Sequence, residues 1–188
     1  NDTYYRDHAG DRIAEAAGGG IDRIIASVST VLTAHVENLT LSGRGALSGE
    51  GNALGNSIVG NNGDNVLSGR AGNDTLRGGA GKDVLVGGAD ADVFVFAALS
   101  DLGVGARRDV IDGWNSGDVI DLRGIDAHAA VAGNQAFSFR GAAAFTAAGQ
   151  VRYDRGLLQL NTDADGAAEF EIVIAGSPAG GLPARASP

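Results

Sequence analysis

Gly60 to Phe96, GNNGDNVLSGRAGNDTLRGGAGKDVLVGGADADVFVF, reads in nines from Gly60, Gly69, Gly78 and Gly87. Each nine begins with small residues, places Asp or Asn sixth, and places one large apolar residue eighth. The eighth positions are Leu67, Leu76, Leu85 and Phe94. Ile58 extends the comb one step upstream, with Asn56 in its sixth place. An apolar residue with one neighbour on each side makes a strand too short to stand alone. Stacked on the next coil, it joins a continuous buried column. The spacing therefore predicts an all-β fold, a parallel β-roll. A disordered Gly-rich linker would lack the comb. Collagen needs glycine every third residue. A phosphate loop needs Ser or Thr after Gly81-Lys82, where Asp83 stands, and Gly where Leu76 stands.

The same register carries a chemistry. Glycines let the backbone turn tightly at low steric cost. Turns bent in that way line up carbonyl oxygens along one edge, and Asp at the sixth position adds carboxylate oxygens beside them. Six or more oxygens suit calcium, whereas zinc takes nitrogen and sulfur. Asp74, Asp83 and Asp92 are the strongest candidate ligands, with Asn56 and Asn65 as weaker members of the row, because an amide keeps an oxygen and loses the charge. Gly60, Asn62, Gly69, Ala71, Gly72, Gly78, Ala80, Gly81, Gly87 and Ala89 supply the candidate turn positions, and Asp101 and Asp109 complete the set. If nine residues make half a coil, position n faces n+18. That pairs Asn56 with Asp74 and Asp74 with Asp92 on one edge. The other edge pairs Asn65 with Asp83, and Asp83 with Asp101, the sixth residue of a degenerate nine from Phe96. The competing reading is that these residues only cap turns, although turn preference alone does not require a nine-residue register. Asp64 and Asp90 fall out of the sixth position and read as solvated charge.

GNDTL, GKDVL and GGADADVFVF resemble the GGxGxDxUx repeats of the RTX, or hemolysin-type, calcium-binding proteins. Downstream, DVIDGWNSGDVIDLRGIDA and AGQVRYDRGLLQLNTDADGAAEFEIVIAG are similar to the C-terminal region of serralysin-type secreted proteases. That family has DxIxDF where Gly113 and Trp114 take the last two places here. Upstream, the stretch from Asn1 to Gly43 resembles segments that alternate with RTX arrays. The resemblance implies a β-roll holding several calcium ions. It also implies a secreted, extracellular location and passage through a type I secretion system. Serralysins carry an HExxH zinc motif; His8, His35 and His128 form no such motif, so the resemblance does not bring protease activity with it.

The 188 residues carry a net charge of −9, which argues against nucleic acid as a partner. A polyanionic sugar meets the same obstacle unless bound calcium inverts the local charge. With no cysteine no disulfide is available, and calcium can take over the stapling role. No apolar run is long enough to span a membrane and no signal peptide is evident.

The sequence divides into four parts: a β-rich, solenoid-like segment (1–50), the calcium array (51–96), a β cap (97–176) and a loose tail (177–188). Asn1 to Tyr4 reads as the second half of a repeat, as if cut from a longer parent that could hold a catalytic domain. Ile21, Ile24, Ile25, Val28 and Val31 fit a helical period, yet the β-branched content of Ile21 to Leu32 favours strand; Val36 to Leu41 alternates at its end and reads as strand. In the blurred stretch from Ser42 to Gly55, Leu47 and Leu54 are the apolar marks. Ala97 to Arg108 reads as loop. AFSFRG, QVRYD, LLQLNTD and EFEIVIAG form a meander that closes the column. Asn161 to Gly166 imitates the opening of an EF-hand loop, but Ile172 stands where that loop needs Glu. A hairpin turn is the favoured reading, with calcium at the loop as the minority one. Trp114 and Tyr153 could line a sugar surface, though lone aromatics more often serve as core. The tail, Leu182 to Pro188, lacks the acidic residue and apolar finish of serralysin-type export signals. The reading is thus a non-catalytic calcium-binding module. Its rival is an accessory polysaccharide-binding module of a secreted enzyme, as in alginate epimerases.

Overall fold

The computed structural model of the chain describes residues 1–128, 130–163 and 165–176. The predicted tail from Ser177 to Pro188 lies outside these. β1 (Thr3–Arg6), β2 (Arg23–Ala26), β4 (Asn38–Leu41), β6 (Ser57–Val59), β8 (Thr75–Arg77), β10 (Val93–Val95) and β12 (Val119–Asp121) form one sheet in that order, with every pair parallel. β3 (Thr30–Val31), β5 (Ser48–Glu50), β7 (Val66–Arg70), β9 (Val84–Gly88) and β11 (Asp109–Asp112) form the parallel part of a second. From β2 to β12 successive strands alternate between the sheets, so two short strands and two turns make each coil. This is the predicted parallel β-roll, and β1 to β5 belong to the same two sheets as the array.

The comb becomes the core. Ile24, Leu39, Ile58, Leu76, Phe94 and Ile120 stand in register along the first sheet. Leu67, Leu85, Ile111 and Ile174 do so along the second. All ten are buried. Strands of two to five residues gain little from strand propensity, so this column carries most of the cohesion between coils.

The blurred stretch has a physical cause. Neither Leu47 nor Leu54 fills the column slot of β5; Leu47 is half-buried and Leu54 is exposed. Gly49 fills it, opposite Leu67. A Cβ there would lie 3.0 Å from Leu39 and 3.2 Å from Leu67, so the flanking leucines already occupy that space. Ile21 to Leu32 holds not one strand but two, β2 and β3, which sit in different sheets. Ala97 to Arg108 is a connection with two short 3-10 turns, Leu99–Asp101 and Gly105–Arg107. Trp114 is buried and stacks on Phe94, with ring centroids 6.0 Å apart, so it serves the core.

β13 (Ser138–Phe139), β14 (Gln150–Asp154), β15 (Leu157–Asn161) and β16 (Phe170–Ala175) extend the second sheet beyond β11. β14 to β16 form the expected antiparallel meander, and β16 lies parallel to β11. β13 pairs with β14 in parallel, because the long connection through Gly141 and Gly149 brings the chain back before β14 begins. Asn161 ends β15, and Thr162, Asp163, Asp165 and Gly166 lie in its hairpin connection to β16, as the favoured reading expects.

Candidate metal centre

Just before each array strand, a tight turn places the sixth-position side chain against the coil before it. On one edge, Asp74 Oδ1 accepts the Asn56 N–H at 2.7 Å and Asp92 Oδ1 accepts the Asp74 N–H at 2.9 Å. On the other edge, Asp83 Oδ1 accepts the Asn65 N–H at 2.8 Å. Each bond spans 18 residues, as the half-coil spacing predicts.

Beyond the array the spacing changes, and one predicted pair is wrong. Asp83 does not face Asp101. Its N–H donates to Asp109 Oδ1 at 2.7 Å, 26 residues away, and the Asp92 N–H donates to Asp118 Oδ1 over the same interval. The lengthened connection with its 3-10 turns moves the next coil eight residues down the chain. Asp101 is instead buried in an ion pair with Arg77 at 2.9 Å. Asp118 is missing from the predicted set, yet the sequence signals it: DVID begins at Asp109 and again at Asp118, nine residues on.

The second carboxylate oxygens decide what the row can bind. Asp74, Asp83 and Asp92 are at most 1% exposed, and in each Oδ2 has no hydrogen-bond partner. An uncompensated buried charge is costly. Burial pushes the Asp74 carboxyl up to about 6 and those of Asp83 and Asp109 up to about 7. Burial raises Asp92 as well. In each case the bond from a backbone N–H opposes the rise.

Each orphan oxygen lies in a niche left by a glycine. A Cβ on Gly69 would fall on Asp74 Oδ2 and lie 2.6 Å from the Gly87 carbonyl oxygen. Carbons on Gly78 and Gly87 would fall on the Oδ2 atoms of Asp83 and Asp92. Gly60 borders the Gly78 carbonyl in the same way. Gly72 and Gly81 have φ of +100° and +128° and close on the turns one coil earlier, at Leu54 and Gly63. Asn62, Ala71, Ala80 and Ala89 stay on the outer side of the turns, exposed or half-buried. Anionic oxygens beside carbonyl oxygens, with no sulfur or imidazole, fit a hard cation such as calcium.

The two Asn turns are built differently. Asn56 Nδ2 donates to the Val36 and Glu37 carbonyls and to Asn52 Oδ1. Asn52 Nδ2 donates to the Thr33 and Val36 carbonyls, both at 2.8 Å. Nine residues on the pattern repeats: Asn65 Nδ2 donates to the Leu47 carbonyl and to Asn61 Oδ1, and Asn61 Nδ2 to the Ser42 and Gly45 carbonyls. Here amide hydrogens give the turn carbonyls the positive partner that a cation would give at the Asp turns. Asn52 and Asn61, unremarkable in the sequence, complete these pairs. Asp64 and Asp90 are more than solvated charge, since Asp64 accepts the Lys82 N–H from the following coil and Asp90 accepts the Gly72 N–H from the preceding one.

The raised carboxyls set a pH dependence. Asp83 and Asp109 bind their protons more tightly folded than unfolded, where the value lies near 3.9. Without metal, their contribution to stability is present below about pH 4 and is lost as pH rises towards 7. Calcium must displace those protons, so its affinity moves the opposite way. Lowering pH from 8 to 5.5 is expected to raise the calcium midpoint of folding by roughly tenfold or more. Circular dichroism at the two pH values measures it; equal midpoints would contradict the assignment.

The model of the RTX calcium-binding nonapeptide repeat matches four copies within residues 50–94, about a quarter of the chain. No curated protein matches the chain. The matched segment begins beside Gly51 and ends on Phe94, so it spans the Asp and Asn turns and the apolar comb together. Residues 50–94 are an array of RTX calcium-binding nonapeptide repeats.

Proposed function

We propose that the chain is a non-catalytic calcium-binding module of a secreted protein, folding outside the cell when calcium reaches its acidic turns. The observation that carries this reading is the row of buried, partnerless Oδ2 atoms on Asp74, Asp83 and Asp92, each beside a glycine niche. Calcium held by these carboxylates, with the Gly87 carbonyl beside Asp74 Oδ2, would neutralise charge that otherwise opposes the fold. Binding to the folded state alone stabilises it by mass action. Low calcium inside a cell would leave the chain open for export through a type I system, and extracellular calcium would close it. Such modules bind with Kd on the order of 10⁻⁴–10⁻³ M.

The sugar-binding alternative loses one of its two candidate aromatics, because Trp114 is packed against Phe94. Among the described residues, no helix is long and apolar enough to cross a membrane.

The test is circular dichroism and thermal melting with chelator and with millimolar calcium. Calcium is expected to increase strand signal and raise the melting temperature. An identical spectrum and melt in chelator would remove the basis for the proposal.

A further inference from the structure

A second group of carboxylates sits on the first coil, outside the matched repeats. Asp2 precedes β1, Asp22 precedes β2, and Glu15 comes from the connection between those strands. One ligand atom from each lies within 4.8 Å of the other two. Asp22 is fully buried, and its Oδ1 accepts the Asp2 N–H at 2.5 Å. Its Oδ2 is buried without a partner. This is the arrangement of Asp74, reproduced three coils earlier.

The surrounding polar groups leave that oxygen unsatisfied. The Asn1 α-amino group lies 3.3 Å from Oδ1, not from the orphan oxygen. Glu15 accepts the Ala16 N–H at 2.8 Å and the Tyr4 hydroxyl at 2.5 Å. Glu37 Oε2 accepts the Asp22 N–H at 2.8 Å and adds a further negative charge. Among the described residues, no Lys or Arg side chain forms an ion pair with Asp2, Glu15 or Asp22. The Asn1 ammonium offsets part of the repulsion at Oδ1, and the carboxylates around the orphan oxygen still repel unless a further cation joins them.

We propose that Asp2, Glu15 and Asp22 form a further site for a hard divalent cation, with calcium as the fitting ion. Three carboxylates with no nitrogen or sulfur donor select calcium over zinc. The site differs from the array in drawing one ligand from a long connection rather than from a stacked turn. Bound calcium would pin the Asp7–Gly20 connection to the coil it spans. This site stands apart from the array, and its calcium is counted separately.

Calcium bound per chain, measured by equilibrium dialysis, tests the idea on Asp2→Asn and Glu15→Gln. Asp2 is exposed and Glu15 is half-buried, so both changes leave the apolar column intact. Each variant is expected to bind one calcium fewer than the parent, while exposed Asp112→Asn binds the parent number. An unchanged count in both variants overturns the proposal. If Asp2→Asn loses several ions at once, the coil has unfolded, and terbium emission excited through tyrosine decides instead. Tyr4 touches Glu15, so Glu15→Gln should dim that emission in the folded protein; undiminished emission overturns the site.

Discussion

Leu85→Ala is expected to destabilise the calcium-loaded protein by roughly 2–5 kcal/mol. Leu85 is fully buried and stands in the second sheet between Leu67 and Ile111. Removing its isobutyl group forfeits the transfer term and leaves a cavity that rigid flanking coils cannot fill. Domain stabilities run only to about 5–15 kcal/mol, so this single change removes a large share. Coils touch only their neighbours in a solenoid, and the loss should therefore appear first between β7 and β11. Urea denaturation in saturating calcium measures it, with half-buried Val84→Ala as the comparison. Equal losses for the two variants would mean that the comb is not the core.

Gly78→Ala is expected to weaken calcium binding by about tenfold or more, on the basis of an overpacking cost of about 1–3 kcal/mol added to a displaced ligand. The new carbon would fall on Asp83 Oδ2 and 2.7 Å from Asp83 Cβ. The side chain cannot move away while its Oδ1 holds the Asn65 N–H. Gly45→Ala is the control, because nothing lies within 4 Å of a Cβ there. Calcium titration followed by circular dichroism should shift for the first variant and stay in place for the second. Parent-like binding by Gly78→Ala would show that the niche is not part of the site.

The column and the acidic row are written openly in residues 58–94, because each coil there repeats the last at 18 residues. Periodicity is local information, and it fails where coils change length. The connection after Phe96 shifts the phase, so extrapolating by nines chose Asp101 where the fold uses Asp109. Only the recurrence of DVID at Asp109 and Asp118 shows the phase resuming. Gly49 hides a coil for a different reason: its slot is filled by neighbouring leucines, and hydrophobicity cannot mark it. The amide pairs of Asn52 with Asn56 and Asn61 with Asn65 are four residues apart, which the sequence does show. Their carbonyl partners lie up to 20 residues upstream, and only the fold brings them together. Asp22 carries no such mark in the sequence, because it precedes a strand outside the nine-residue register.

Hydrogen exchange resolved along the chain, with and without chelator, distinguishes two kinds of turn: those whose carbonyls are satisfied by asparagine amides and those whose buried carboxylates need a cation. Chelation is expected to strip protection from β8 to β12, where Asp74, Asp83, Asp92 and Asp109 lie. Protection in β4 and β6 should persist, held by Asn52 and Asn56 and by the Leu39–Ile58 pairing. Uniform protection that calcium does not alter would contradict the account.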